Sequence, residues 1–169
     1  PGGNHEFTYV GRMTAEKGVT LFAEAAARIN LKARFVGSGS LEGKVKSIFP
    51  QALFSGWLKK NEVSHLIRSS RALVLPSLWY ETQGLVVKEA AAMGVPTIVS
   101  DGCAGRDSVE DGVTGLWFSS GSIEDLVKKI NILKKDDQKA TALGMNAYEK
   151  YWNSPNTIQN HGQELMNCY

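Results

Sequence analysis

The sequence predicts a doubly wound α/β domain, a Rossmann-like parallel sheet with helices on both faces, and three observations lead there. Five short segments, residues 7–11, 33–37, 52–57, 72–76 and 97–100, are almost continuously apolar, β-branched or aromatic and read as strands. The segments between them carry helical spacing. Over 17–29 the apolar side chains fall at Val19, Phe22, Ala23, Ala26, Ala27 and Ile29, and 41–49, 61–69 and 84–93 repeat the pattern. Strands without an alternating polar face are covered on both sides, as in a parallel sheet whose crossovers are helices.

The punctuation between elements agrees. Asn61, followed by Glu62, reads as the cap of the third helix. Gly112 and Gly115 bracket a turn before one more short strand at 116–118, and Ser122 caps a helix from 123 to 134. Lys134, Lys135, Asp136 and Asp137 read as a solvated helix junction, with only helix or loop beyond. The tail aromatics Tyr148, Tyr151 and Trp152, with Met166, pack either on this domain's own sheet or on a second domain. Residues 1–4 read as a linker or boundary.

Composition limits the function. The 169 residues suit one compact domain that buries roughly 70% of the surface its unfolded chain exposes. Apolar residues at 43% and charged residues at 21% exclude a disordered or fibrous chain. A formal charge of +2, from scattered Lys and Arg, provides no stripe for nucleic acid or an anionic membrane, so any bound anion is expected to be small. No apolar run approaches the ~20 residues of a membrane span. Cys103 and Cys168 form no CxxC pair, and His5, His65 and His161 are isolated. No disulfide framework, metal site or cofactor is expected, and the setting is expected to be reducing and cytoplasmic.

Doubly wound sheets bind ligands beyond the carboxyl ends of their strands, so the loops there carry the chemistry. In the first loop, between Gly11 and Gly18, Arg12 and Lys17 flank a helix start that already favours anions. Two cations there point to a bound polyanion, with Arg12 forking onto two phosphate oxygens and Lys17 acting as a point charge. The alternative is a pair of ordinary surface cations, or pairing with Glu16. In the second loop, Gly37 and Gly39 either admit a ligand to the backbone or simply make a turn. A dinucleotide fingerprint is absent, because Glu42 stands where its third glycine belongs. In the third, Gly56 brings the chain at Trp57 and Leu58 close to a flat group, or merely ends a strand.

The fourth loop carries Glu81, and the helix after it carries Glu89. Glu89 sits among Leu85, Val86, Val87, Ala90, Ala91, Ala92 and Met93, so it is expected to be shielded from water and to need a partner. Lys88 points about 100° away around the helix, and a ribose hydroxyl pair would satisfy the carboxylate. Glu81, just before the helix, is also well placed as a cap.

Taken in order, Gly11, Arg12, Lys17 and Gly18, then Gly37 and Gly39, then Glu81 and Glu89, then the run Glu110, Asp111, Gly112, Val113, Thr114 and Gly115 resemble glycosyltransferase family 4 along nearly the whole chain. These are retaining enzymes with a two-domain GT-B fold, acting among other places in polysaccharide biosynthesis. The resemblance implies that residues 1–169 form the carboxy-terminal half-domain, which binds a nucleotide-sugar donor. The amino-terminal acceptor domain, commonly the source of a catalytic histidine, would lie outside it, so this chain would bind donor without transferring sugar. Arg12 and Lys17 would grip the diphosphate, Glu89 the ribose and Glu81 the donor hexose, with Glu81, Arg12 and Lys17 as the catalytic set. Amides at Gln83, Gly84 and Leu85 would reach the sugar or distal phosphate, the main chain at Trp57 and Leu58 would hold the base, and Gly11, Gly37 and Gly39 would complete the site. No metal is implied. A cytoplasmic location is, with peripheral attachment to the cytoplasmic membrane through the other domain.

The pattern departs from the family at Thr82 and Gln83, where bulky aromatic and glycine residues are usual, and over Cys103, Ala104, Gly105, Arg106 and Asp107, where paired glycines precede Pro-Glu. Asp107 stands in for that Glu, and Arg106 is a cation without a role. Other readings are a non-catalytic nucleotide-binding module, a sugar-nucleotide epimerase, or a phosphorylase, for which no lysine is marked to carry pyridoxal phosphate.

Overall fold

Strands β1 (Phe7–Val10), β2 (Ala33–Val36), β3 (Leu53–Gly56), β4 (Ala72–Leu75), β5 (Thr97–Ser100) and β6 (Gly115–Phe118) form one parallel sheet in the computed structural model, which describes residues 3–79 and 84–153. The strand order is β3-β2-β1-β4-β5-β6. The chain therefore winds outward from β1 in one direction, returns to the centre, and winds outward from β4 in the other. Between β1 and β4 the loops leaving the carboxyl edge diverge and open a crevice.

Helices α1 (Val19–Arg28), α2 (Glu42–Ile48), α3 (Lys60–Arg68), α4 (Leu85–Ala92), α5 (Ile123–Lys135) and α6 (Asp137–Asn153) cover the sheet. Under α1 and α2 the rings of Tyr9, Phe22 and Phe35 are buried, with Phe35 centred 5.1 Å from Phe22 and 6.0 Å from Tyr9. Burying each such side chain contributes about 1.5–3 kcal/mol. Ser122 caps α5 as predicted, its hydroxyl accepting the Asp125 amide at 3.2 Å.

Three readings of the sequence are corrected. Helix α1 begins at Val19 and not at Lys17, because Ala15–Lys17 form a separate 3-10 turn that ends at Gly18 in the left-handed conformation. The N-cap of α3 is Lys59 and not Asn61: Glu62 reaches back to accept the Lys59 amide at 2.8 Å, and this charge-assisted bond sets the helix start two residues earlier. Asp137 is more than a solvated junction residue. Arg71, 1% exposed at the amino edge of β4, donates its Nε–H to the Leu133 carbonyl at 2.7 Å and meets the Asp137 carboxylate at 2.6 Å. The last turn of α5 leaves carbonyls unpaired, and a buried guanidinium satisfies one while holding α6 in place.

Helix α6 packs through Ala140, Leu143, Gly144 and Ala147 on its own domain, and the Trp152 indole donates to the Ala92 carbonyl at 3.2 Å. Tyr148 and Trp152 stay largely exposed.

Gly18 fixes how close the first loop lies to the fourth. Its φ is 62°, and a Cβ there would stand 1.9 Å from the Pro76 carbonyl oxygen. Gly121 is also left-handed, at φ 76°, but a Cβ there meets nothing within 4 Å. Gly121→Ala is expected to cost about 1–2 kcal/mol of backbone strain alone, and Gly18→Ala roughly 3 kcal/mol or more, because main chain must also move. Urea denaturation measures both; equal losses would show that the two loops do not depend on each other.

Candidate functional site

At the switch point lies a cleft of about 560 Å³. The end of β1 supplies Tyr9, Val10 and Gly11 to its wall, the first loop Arg12 and Lys17, and the residue after β3 Trp57. Leu75 of β4 forms part of the floor, and the start of α4 contributes Gly84, Leu85, Val86 and Glu89. Of the residues singled out from sequence, Gly11, Arg12, Lys17, Trp57, Gly84, Leu85 and Glu89 are thus brought together. Glu81, Thr82 and Gln83 lie outside the described residues, as do His161, Met166 and Cys168.

The first loop is held largely through its backbone. The Tyr9 hydroxyl donates to the Arg12 carbonyl at 2.5 Å, the Met13 amide donates to the Ser38 carbonyl at 2.8 Å, and Met13 itself is buried. The Arg12 side chain is 71% exposed, with its guanidinium 3.8 Å from Glu16. Pairing with Glu16, one alternative read from the sequence, is therefore present as a long, solvent-screened contact. Glu16 is anchored from another side: Thr14 donates its hydroxyl to Glu16 Oε1 at 2.6 Å. That bond, then the Glu16 backbone amide, then the charges of Arg12 and Lys17 hold its carboxyl below the ordinary glutamate range. The Leu78 amide donates to the Glu16 carbonyl at 2.9 Å and ties the first loop to the fourth.

Gly37 and Gly39 are placed behind this loop and not on the cleft wall. A Cβ at Gly37 would stand 2.1 Å from the Gly11 carbonyl oxygen, and one at Gly39 2.5 Å from that of Met13. Their lack of side chains lets the second loop press on the first. Leu58 is half-buried beside Trp57 and also stands off the wall, whereas Trp57 is 82% exposed at its rim. Glu89 is half-buried and not fully shielded, because the flank of α4 carrying Leu85 and Glu89 opens into the cleft. It makes no hydrogen bond or ion pair with the described residues. Tyr9, Val10, Leu75 and Val86 were read only as sheet or helix core; their position at the carboxyl ends of β1 and β4 and the start of α4 was the available signal.

Arg106 is directed elsewhere, donating to the Asp101 carbonyl at 2.9 Å and lying 5.7 Å over the Trp117 ring. Asp107 is exposed, and Gly105 backs the cleft, since a Cβ on Gly84 would stand 2.7 Å from its Cα. Among the described residues no three His, Cys, Asp or Glu gather into a metal-binding group, and no helix is long and apolar enough to cross a membrane.

The cleft thus brings a cationic loop and a carboxylate together at the switch point of a doubly wound sheet, and comparison with known proteins shows the family. The profile described as "Glycosyl transferases group 1" matches residues 1–150. The chain belongs to this family. Among curated glycosyl transferases it is 31% identical over 148 residues to the sulfoquinovosyl transferase SQD2 of Arabidopsis thaliana, covering 84% of this chain and 29% of that protein. It is 36% identical over 124 residues to a GDP-mannose-dependent alpha-mannosyltransferase of Mycolicibacterium smegmatis, covering 73% of this chain and 33% of that one. The chain thus spans about a third of the length of these curated relatives. The Anabaena protein Alr3699/HepE, solved in complex with UDP, shares the fold with a TM-score of 0.86 at 20% identity, over 98% of this chain and 48% of that one. The C-terminal domain of the group 1 protein LpcC from Francisella tularensis superposes with a TM-score of 0.80 at 24% identity, over 92% of this chain and 87% of that one.

The Thr14 bond has a measurable consequence. A depressed glutamate stabilises the loop at neutral pH, and that contribution is lost as pH falls through its folded-state value. In Thr14→Val the Glu16 carboxyl is expected to titrate at higher pH than in the parent, as followed by carbon-detected NMR. An unchanged midpoint would assign the depression to Arg12 and Lys17 instead.

Proposed function

We propose that this chain is the carboxy-terminal, donor-binding half-domain of a retaining GT-B glycosyltransferase of the family 4 type, holding a nucleoside-diphosphate sugar for hexosyl transfer. The observation that carries the reading is the convergence of Arg12, Lys17 and Glu89 on one cleft at the switch point. Arg12 and Lys17 would take the diphosphate, and the amino-terminal end of α4, at Gly84 and Leu85, lines the same cleft, where the first N–H groups of a helix have no partner within the helix. Glu89, about one turn along α4 from Leu85, meets the ribose hydroxyls. Trp57, at the rim, and the main chain at Leu58 are assigned the base, and Glu81 and Gln83, which precede α4 in sequence, are assigned the sugar.

The chemistry needs this charge pattern. As the glycosyl group leaves, negative charge grows on the diphosphate, and fixed cations with oriented amides stabilise that change more than they stabilise the bound donor. In this reading Arg12 and Lys17 supply the positive charge, with no metal or cofactor assigned. Gly37 and Gly39 act by bracing the first loop. Acceptor binding, and the transfer itself, require an amino-terminal domain beyond this chain, consistent with the share of its relatives that the chain covers. The location proposed is cytoplasmic, peripheral to the membrane through that other domain. The relatives' names differ in donor, and HepE is bound to UDP, so the class of donor is supported and the base is left to measurement.

Thermal denaturation with UDP, GDP, ADP and NAD tests the reading. A ligand bound only by the native state adds about 2.7 kcal/mol at a hundredfold excess over its dissociation constant, so one nucleoside diphosphate is expected to raise Tm, and Arg12→Ala to abolish the rise. In the full-length enzyme Arg12→Ala is expected to slow turnover on the order of a hundredfold. A shift with NAD alone, or no shift with any, would overturn the proposal.

A further inference from the structure

Helix α4 is the wall between two cavities. It presents Leu85, Val86 and Glu89 to the cleft, and Lys88 and Ala91 to a second cavity of about 220 Å³ closed on its other side by Ala147, Lys150 and Tyr151 of α6. Ser108 and Thr114 complete the lining from the segment before β6. The space exists because Ala91 and Ala147 face each other across it, where longer side chains would fill the gap between the helices.

Its charges are unusual for a packing void. Two lysines from different helices, Lys88 and Lys150, line one small cavity, and an anion between two cations that share a space lowers their mutual repulsion. Glu110 answers one of them, accepting from Lys150 at 3.2 Å. Lys88 is half-buried and makes no hydrogen bond or ion pair with the described residues. The hydroxyls of Ser108 and Tyr151 add neutral donors on the same lining, while the alanine methyls offer an apolar floor.

We propose that this cavity binds a small organic phosphate, its phosphate group between Lys88 and Lys150 and its short carbon body on Ala91 and Ala147. A tetrahedral oxyanion has enough acceptors for two ammoniums and two hydroxyls at once. The volume is below the roughly 300–1,000 Å³ of sites for drug-sized ligands, too small for a nucleotide sugar, so the ligand differs from the donor proposed for the cleft and the inference does not rest on that reading. A molecule held here bears directly on the helix that carries Glu89.

Phenyl phosphate, inorganic phosphate and phenol, titrated into the ¹⁵N-labelled protein, test it. Saturable amide shifts at Lys88, Ala91, Ser108, Thr114 and Ala147 are expected, with phenyl phosphate binding more tightly than inorganic phosphate and phenol not binding. Losing a hydrogen bond to a charged group, Lys88→Gln is expected to weaken phenyl phosphate about tenfold or more, and Lys88→Arg to stay within about threefold. Arg12→Ala is expected to leave this binding unchanged, which separates it from the cleft. Shifts confined to the loop around Arg12 and Lys17, equal binding of phenol, or unchanged affinity in a folded Lys88→Gln variant would overturn the proposal.

Discussion

The carboxyl edge of this sheet is organised by main chain meeting main chain without side chains between them, and the contact of Gly18 with the Pro76 carbonyl is the one on which the others depend. Strands β1 and β4 are neighbours, but their crossovers run in opposite directions, so the loops that leave them would part without a tie. Gly18 supplies it, and the Leu78 amide on the Glu16 carbonyl secures it. Gly37 and Gly39 then brace the same loop from behind. With its backbone fixed on two sides, the first loop delivers Arg12 and Lys17 to the crevice at a defined distance from α4.

Much of this was legible because a parallel sheet writes itself plainly in sequence. Its strands are apolar on both faces and its loops gather at one edge, so asking which loops follow strands leads to Arg12, Lys17 and Trp57, whereas Glu89 is marked by its apolar helix neighbours and Gly84 and Leu85 by the family resemblance. What escaped depended on contacts distant in sequence. Nothing near Arg71 announces that its guanidinium is buried against Leu133 and Asp137, and nothing near Gly37 shows that its neighbour is the Gly11 carbonyl. Competition between local signals explains the rest: Glu62 recruited Lys59 as cap ahead of Asn61, and a left-handed Gly18 delayed a helix whose apolar spacing alone would begin at Lys17.

A net charge of only +2 does not prevent the cleft from being locally cationic. Charge is concentrated by position and not by number, with Arg12 and Lys17 on one cleft. Glu16 keeps the exposed Arg12 guanidinium near the loop without burying it, and Thr14 keeps Glu16 in place. The pairing is long and screened by solvent. Arg106, which the sequence left without a role, fastens the segment before β6 and takes no part in the cleft lining.

On this account α4 is the central element of the site, with its amide end and Glu89 toward the cleft and Lys88 toward the cavity behind. The most direct measurement is a crystal structure of the protein with the nucleoside diphosphate that stabilises it. The account predicts phosphate oxygens within about 4 Å of both the Arg12 guanidinium and the Lys17 ammonium, as ion pairing requires, and ribose hydroxyls on the Glu89 carboxylate. A nucleotide bound away from the switch point, with Arg12 still turned to Glu16 and Glu89 untouched, would contradict it.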